Sequence, residues 1–194
     1  MQAFLAILQY DCGQLTRSWI SRIWVTLLVA PALALVLIAN NEAELASETM
    51  AFYMWAVFAP ISALAVAILA SGAINGESTI ISDSILSRSV TRTEYVAAKI
   101  ISRVGFTLTV YLVVLIPFCI LVIRYSTSDT SLVGVVAGLM MVASMLVFLA
   151  TFGIAMSVTM SGVLPAVMVV LLVFTALSSL AVISSVWLFR RKDL

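Results

Sequence analysis

The apolar positions of this 194-residue chain fall into long blocks instead of short alternations. Five stand out: Ile23–Ala39, Phe52–Ile74, Val104–Ile123, Leu132–Val158 and Val163–Phe189. The last two form most of a run of 58 residues, Leu132–Phe189, without one Asp, Glu, Lys, Arg or His. About 20 apolar residues cross a bilayer as helix, at about 1.5 Å each. The 58-residue run would extend about 87 Å, so it crosses more than once. A membrane β-barrel would show alternating segments of about ten residues instead. Ahead of the blocks lies Met1–Arg22, which is amphipathic: Phe4, Ile7, Leu8 and Leu15 are apolar, while Gln9, Asp11, Gln14 and Arg17 are polar. This pattern predicts an elbow helix lying in the interface plane, with Trp19 and Trp24 at the aromatic belt where the chain turns inward.

Composition agrees. The chain is 63% hydrophobic and 10% charged, where a soluble domain carries about 25% charged residues. The expected fold class is therefore an all-α polytopic membrane protein, with residues 1–194 as a single transmembrane domain. A net charge of +1 gives no field that would gather nucleic acid. Cys12 lies in the polar N-terminal stretch and Cys119 in an apolar block, so no disulfide is expected. Met1–Leu8 is apolar but has no basic start, so it does not read as a cleavable signal peptide.

The joining segments differ in charge. Asn40–Ala51 holds Glu42, Glu44 and Glu48 and no basic residue, whereas Asn75–Arg103 holds Arg88, Arg92, Lys99 and Arg103. Lys and Arg gather on the cytoplasmic side. Placing both termini and the second segment inside puts nine of the ten basic residues there, with Arg124 the exception. Five passes from an inside start, however, leave Arg190, Arg191 and Lys192 outside. Val163–Phe189, with 27 residues, is too short for two passes at about 20 each. Three readings follow: an external tail, a re-entrant last block, or a segment missing between about Phe174 and Ser185. The third is the expectation carried forward.

Candidate chemistry is sparse. The five blocks contain no Asp, Glu, Lys, Arg or His, the groups that mark proton and ion pathways at depth. Without histidine there is no Ser-His-Asp triad, and no carboxylate pair or metal cluster offers itself. No GxxxxGK followed by Ser or Thr is present, so the chain has no phosphate loop of that kind. An enzyme is not expected, nor is a cofactor held by this chain. Gly72–Gly76 and Gly134–Gly138 have the GxxxG spacing that lets helix backbones approach. Pro31, Pro60, Pro117 and Pro165 read as kinks or span starts. The methionines Met140, Met141, Met145, Met156 and Met160 read first as packing residues and second as an adaptable pathway lining.

The informative polar stretch is GESTIISDSILSRSVTRTEYVAAKIISR, from Gly76 to Arg103. Its apolar residues Ile80, Ile81, Ile85 and Leu86 would share one face of a short cytoplasmic helix able to dock on a partner. This segment resembles the coupling segment of the permease subunits of ABC-2 type (type V) ABC exporters. There a Gly-x-Glu-like turn ends the second span and a motif with Leu-Ser, Val-Ser-Arg, Glu-Tyr and Lys follows. Glu77, Leu86, Ser87, Arg88, Val90, Thr91, Arg92, Glu94, Tyr95 and Lys99 occur here in that order. Ser89 stands where the family has proline, and the family's Gly-Thr pair is missing. The ending WLFRRKDL also resembles the family's C-terminus.

The resemblance implies an elbow helix, a six-span layout and a cytoplasmic coupling helix between spans 2 and 3, at residues 76–99. It implies two cytosolic ABC ATPase subunits as partners, which would hold the ATP and Mg. It also implies a second permease protomer, identical or paralogous, and a place in the cell membrane of a prokaryote with both termini cytoplasmic. The residues expected to contact the ATPase are Glu77, Arg88, Arg92, Glu94 and Lys99, with the elbow helix as a second contact. The competing reading is a non-transporting membrane anchor or assembly subunit, held together by helix packing alone.

Overall fold

A computed structural model describes residues 2–42, 45–75, 92–127, 129–160 and 162–192. Among them the secondary structure is helical, apart from one isolated bridge between Leu45 and Thr127. Four helices are long and apolar enough to cross a membrane, counted among the described residues. The coarse expectation of an all-helical membrane protein therefore holds.

The amphipathic start forms α1, Gln2–Arg17. It breaks at Ser18, whose carbonyl accepts from the Arg22 amide at 3.2 Å and begins the next helix. This helix, α2 (Trp19–Glu42), has 24 residues and spans about 36 Å. Trp24, Leu28, Ala32, Val36 and Ala39 recur on one stripe and are buried. Ile23, Leu27, Leu33 and Leu37 face outward. An apolar helix exposed on the far side is unstable in water but natural in lipid. The acidic connection is shorter than the charge pattern suggested, because a new helix already begins at Ala46.

The second span is one helical run in three parts: α3 (Ala46–Phe52), a π-helical stretch Tyr53–Phe58, and α4 (Ala59–Asn75). Pro60 follows two residues after the end of the π stretch. Proline lacks an amide and its ring crowds the carbonyl four residues back, here that of Ala56, so the backbone widens at this point. Of the other prolines, Pro31 sits inside α2, Pro117 inside the helix Arg92–Tyr125, and Pro165 in the first turn of the helix Val163–Lys192.

Helix α5 (Arg92–Tyr125) has 34 residues, about 51 Å of helix. It begins three turns before its apolar block. Residues Arg92 to Lys99, the last part of the expected coupling segment 76–99, thus share one helix with the third span. Helix α6 (Leu132–Thr159) is capped by Ser131, whose hydroxyl accepts from the Gly134 amide at 3.1 Å.

Helix α7 (Val163–Lys192) runs unbroken for 30 residues, about 45 Å. The expectation of an interruption between Phe174 and Ser185 is corrected: Thr175, Ala176 and their successors continue one helix. Along it the backbone shows neither a re-entrant turn nor a break between two abutted spans. The apolar composition gives the backbone no reason to break, since no Gly or Pro lies between Ala166 and Lys192.

Helix α4 is the centre of the bundle. Ser62, Ala63, Val66, Ala67, Ala70 and Ala73 are all buried, and α6 packs against them most closely at Gly153. A Cβ on Gly153 would lie 2.7 Å from the Cβ of Ala70. Small residues at this crossing let the two backbones approach.

Candidate functional site

At the end of the bundle that carries α1, four polar side chains converge beneath the apolar layers. Lys99, Ser102 and Arg103 lie at spacings of three and four along α5 and so share one face. Asp11 of α1 meets them there and is completely buried. Lys99 Nζ donates to Asp11 Oδ1 at 2.7 Å, and Arg103 Nη2 lies 3.3 Å from the same oxygen. The Ser102 hydroxyl donates to the other carboxylate oxygen. Arg103 Nη1 donates to the Leu69 carbonyl of α4 at 2.9 Å. Lys99 also lies over the Tyr95 ring, 5.8 Å from its centroid. One carboxylate thus joins α1 to α5, and one guanidinium extends the joint to α4.

Among the described residues, the cluster joins Lys99 and Arg103 to Asp11. Burial alone would raise the Asp11 pKa; the Arg103 charge and the hydrogen bonds from Lys99 and Ser102 outweigh it, and the carboxyl titrates below its ordinary range. Neighbouring Cys12 shifts up, through burial and the Asp11 charge. Beside the cluster opens a groove of about 770 Å³ between α1, α4 and the start of α7. Arg17, Arg103, Gln14, Leu69, Gly72 and Val163 are among its walls.

The opposite end is held differently. Asp129, before α6, accepts from the Ser47 amide at 3.0 Å and from the Ser47 hydroxyl, so it caps α3 from another segment. The Ala46 amide donates to the Thr127 carbonyl at 3.2 Å. A smaller cavity of about 350 Å³ lies here, between α3 and α6. In mid-bundle, Tyr53 of the π stretch is buried against Phe118, with ring centroids 4.1 Å apart. Its hydroxyl donates to the Leu28 carbonyl at 2.9 Å, and Tyr111 donates to the Leu139 carbonyl at 2.7 Å. Both phenols find partners on other spans, as buried polar groups must in lipid.

Of the residues expected to touch an ATPase, Glu77 and Arg88 lie outside the described residues. Arg92 opens α5, and Glu94 is exposed in its first turn. Lys99 is 1% exposed and is engaged by Asp11 of its own chain. Of the packing glycines, Gly76 lies outside the described residues. Gly72 has open space where a Cβ would stand; Gly134 abuts only its own cap, Ser131, and Gly138 makes an ordinary contact with Met54. The close crossing belongs to Gly153, which the GxxxG spacing does not select. The Asp11 joint was also missed. Its signal was a single acid on the amphipathic elbow and a Lys-x-x-Ser-Arg pattern one turn before an apolar block. Cys12 and Cys119 are both free, and among the described residues no three potential metal ligands cluster. The chain matches no protein-family model, no curated protein and no solved structure.

Proposed function

We propose that this chain is the transmembrane permease subunit of an ATP-driven exporter of the ABC-2 type, working with a second permease protomer and two cytosolic ATPase subunits. The observation that carries the reading is the buried joint of Asp11 with Lys99 and Arg103. It fastens the interfacial helix α1 to the root of the third span and, through Leu69, to the second. Residues 76–91 connect those same two spans at that end. A force applied to that connection or to α1 therefore reaches both spans as one body. This is the mechanical arrangement a coupling element needs when hydrolysis happens in another subunit, and the chain carries no phosphate loop of its own.

In this reading the α1 end is cytoplasmic, because Arg17, Arg22, Lys99 and Arg103 are on that side, as is the start of α5 at Arg92. The outward-facing apolar residues of α2, α5 and α6 meet lipid or the second protomer.

Affinity purification of the full chain from its native membrane should bring down an ATP-hydrolysing subunit in equal amount. Replacing Arg88 and Arg92 together by Glu should abolish the association while the chain still inserts. Recovery of the chain without an ATPase, or assembly indifferent to the double replacement, would leave the membrane-anchor reading in its place.

A further inference from the structure

The second span holds one residue more than an α-helix of its length would. The Ala59 amide donates to the Met54 carbonyl, five residues back, where an α-helix reaches back four. Burial follows the same surplus. Ala46, Met50, Met54 and Phe58 are buried at spacings of four, while Glu48, Phe52, Ala56 and Pro60 are exposed at that spacing. In an unbroken α-helix each step of four overshoots a full circle by about 40°, so such a row would turn through about 120° from end to end. One surplus residue takes back about 100° of this and keeps each row on its own face. The register so set is used on both sides of α3. The Tyr53 hydroxyl donates to the Leu28 carbonyl at 2.9 Å, and Ser47 gives its amide and its hydroxyl to Asp129. Met50 and Met54 then wall the cavity of about 350 Å³ between α3 and α6.

We propose that the π stretch Tyr53–Phe58 is a register switch that turns α3 against α4 and so opens or closes the cavity beside α6. Taking the surplus residue up into regular α-helix lengthens the run by one position. Each residue of α3 then moves to the place of the one before it, a turn of about 100° and a rise of about 1.5 Å. Ala51 comes to stand where Met50 stands, so the cavity widens, and Tyr53 moves to the exposed face that Phe52 occupies. Two restraints hold the π form. The Pro60 ring would meet the Ala56 carbonyl in an α-helix, and the Tyr53 hydroxyl would lose its partner on α2. Against them stands the ordinary preference for α-helix, π turns being rare. The switch does not depend on any ATPase partner.

Disulfide trapping in the full chain, reconstituted in vesicles, reads the register. In a background with Cys12→Ser and Cys119→Ala, the pair Ser47→Cys and Asp129→Cys should cross-link under mild oxidation, because the two side chains touch. Adding Pro60→Ala and Tyr53→Phe releases both restraints. Removing a proline from a helix interior favours the α form about a hundredfold, so cross-linking should fall about tenfold or more. Deleting Ala56 as well should restore it, because the α-helical run then has the length that brings Ser47→Cys back to Asp129→Cys. A span that the two substitutions had merely unfolded would not be repaired by losing a residue. Cross-linking that persists after both substitutions would mean that α3 does not turn, and would overturn the switch. A loss that deleting Ala56 does not repair would overturn the surplus-residue register, and so would a starting pair that never cross-links.

Discussion

Asp11 is the only acidic residue between Met1 and Arg22, and it has no exposed surface. A carboxylate taken from water is tolerated only where cations and donors replace its hydration. Lys99, Arg103 and Ser102 do this. Asp11→Asn should therefore destabilise the protein by about 3 kcal/mol, because it removes the charge that both buried cations share. Lys99→Met should cost less, since Asp11 and Arg103 still neutralise one another. Thermal unfolding in detergent compares the two, and an Asp11→Asn midpoint at or above that of Lys99→Met contradicts the account. The pH dependence has a definite sign. The Asp11 pKa in the fold lies below the ordinary value of 3.8. Its contribution is complete above about pH 4 and is lost as pH falls through the folded pKa. Wild type should lose stability in strong acid more steeply than Asp11→Asn.

At the scale of elements, the crossing of α4 with α6 sets how closely the bundle packs. Gly153→Ala places a methyl 2.7 Å from the Ala70 Cβ, so the helices must separate. The expected cost is about 1–3 kcal/mol, as for overpacking elsewhere. Gly72→Ala meets no atom within 4 Å and should be neutral or gain about 0.5–1 kcal/mol from the better helix former. Equal denaturation midpoints for the two variants would show that the crossing is looser than its geometry. Neither the Gly153 contact nor the Asp11 joint was legible in the sequence, for the same reason. Both pair residues more than 80 positions apart, and spacing along one helix does not name the partner on another. The helices themselves were legible. Apolar blocks mark the part in hydrocarbon, so Ile23–Ala39 became Trp19–Glu42 and Val104–Ile123 became Arg92–Tyr125. The excess at each end is polar helix, which needs no apolar side chains once it leaves the lipid. The π stretch was half visible: Pro60 announced a disturbance but not its kind.

The whole molecule is decided by α7. Val163 shares the groove with Arg103, so α7 starts at the α1 end. Ala166, Val167 and Val170 are buried against the bundle, and Phe174 packs on the same core. A helix of 30 residues that starts there covers about 45 Å, more than the hydrocarbon thickness of about 30 Å. That length points the helix toward the end that carries Asp129, and a complete crossing would put α1 and the end of α7 on opposite faces. In a background with Cys12→Ser, Arg17→Cys and Lys192→Cys should react with a membrane-impermeant maleimide from opposite sides of sealed vesicles. Labelling of both from one side would require an even number of crossings, a turn inside α7, and with it the six-span arrangement.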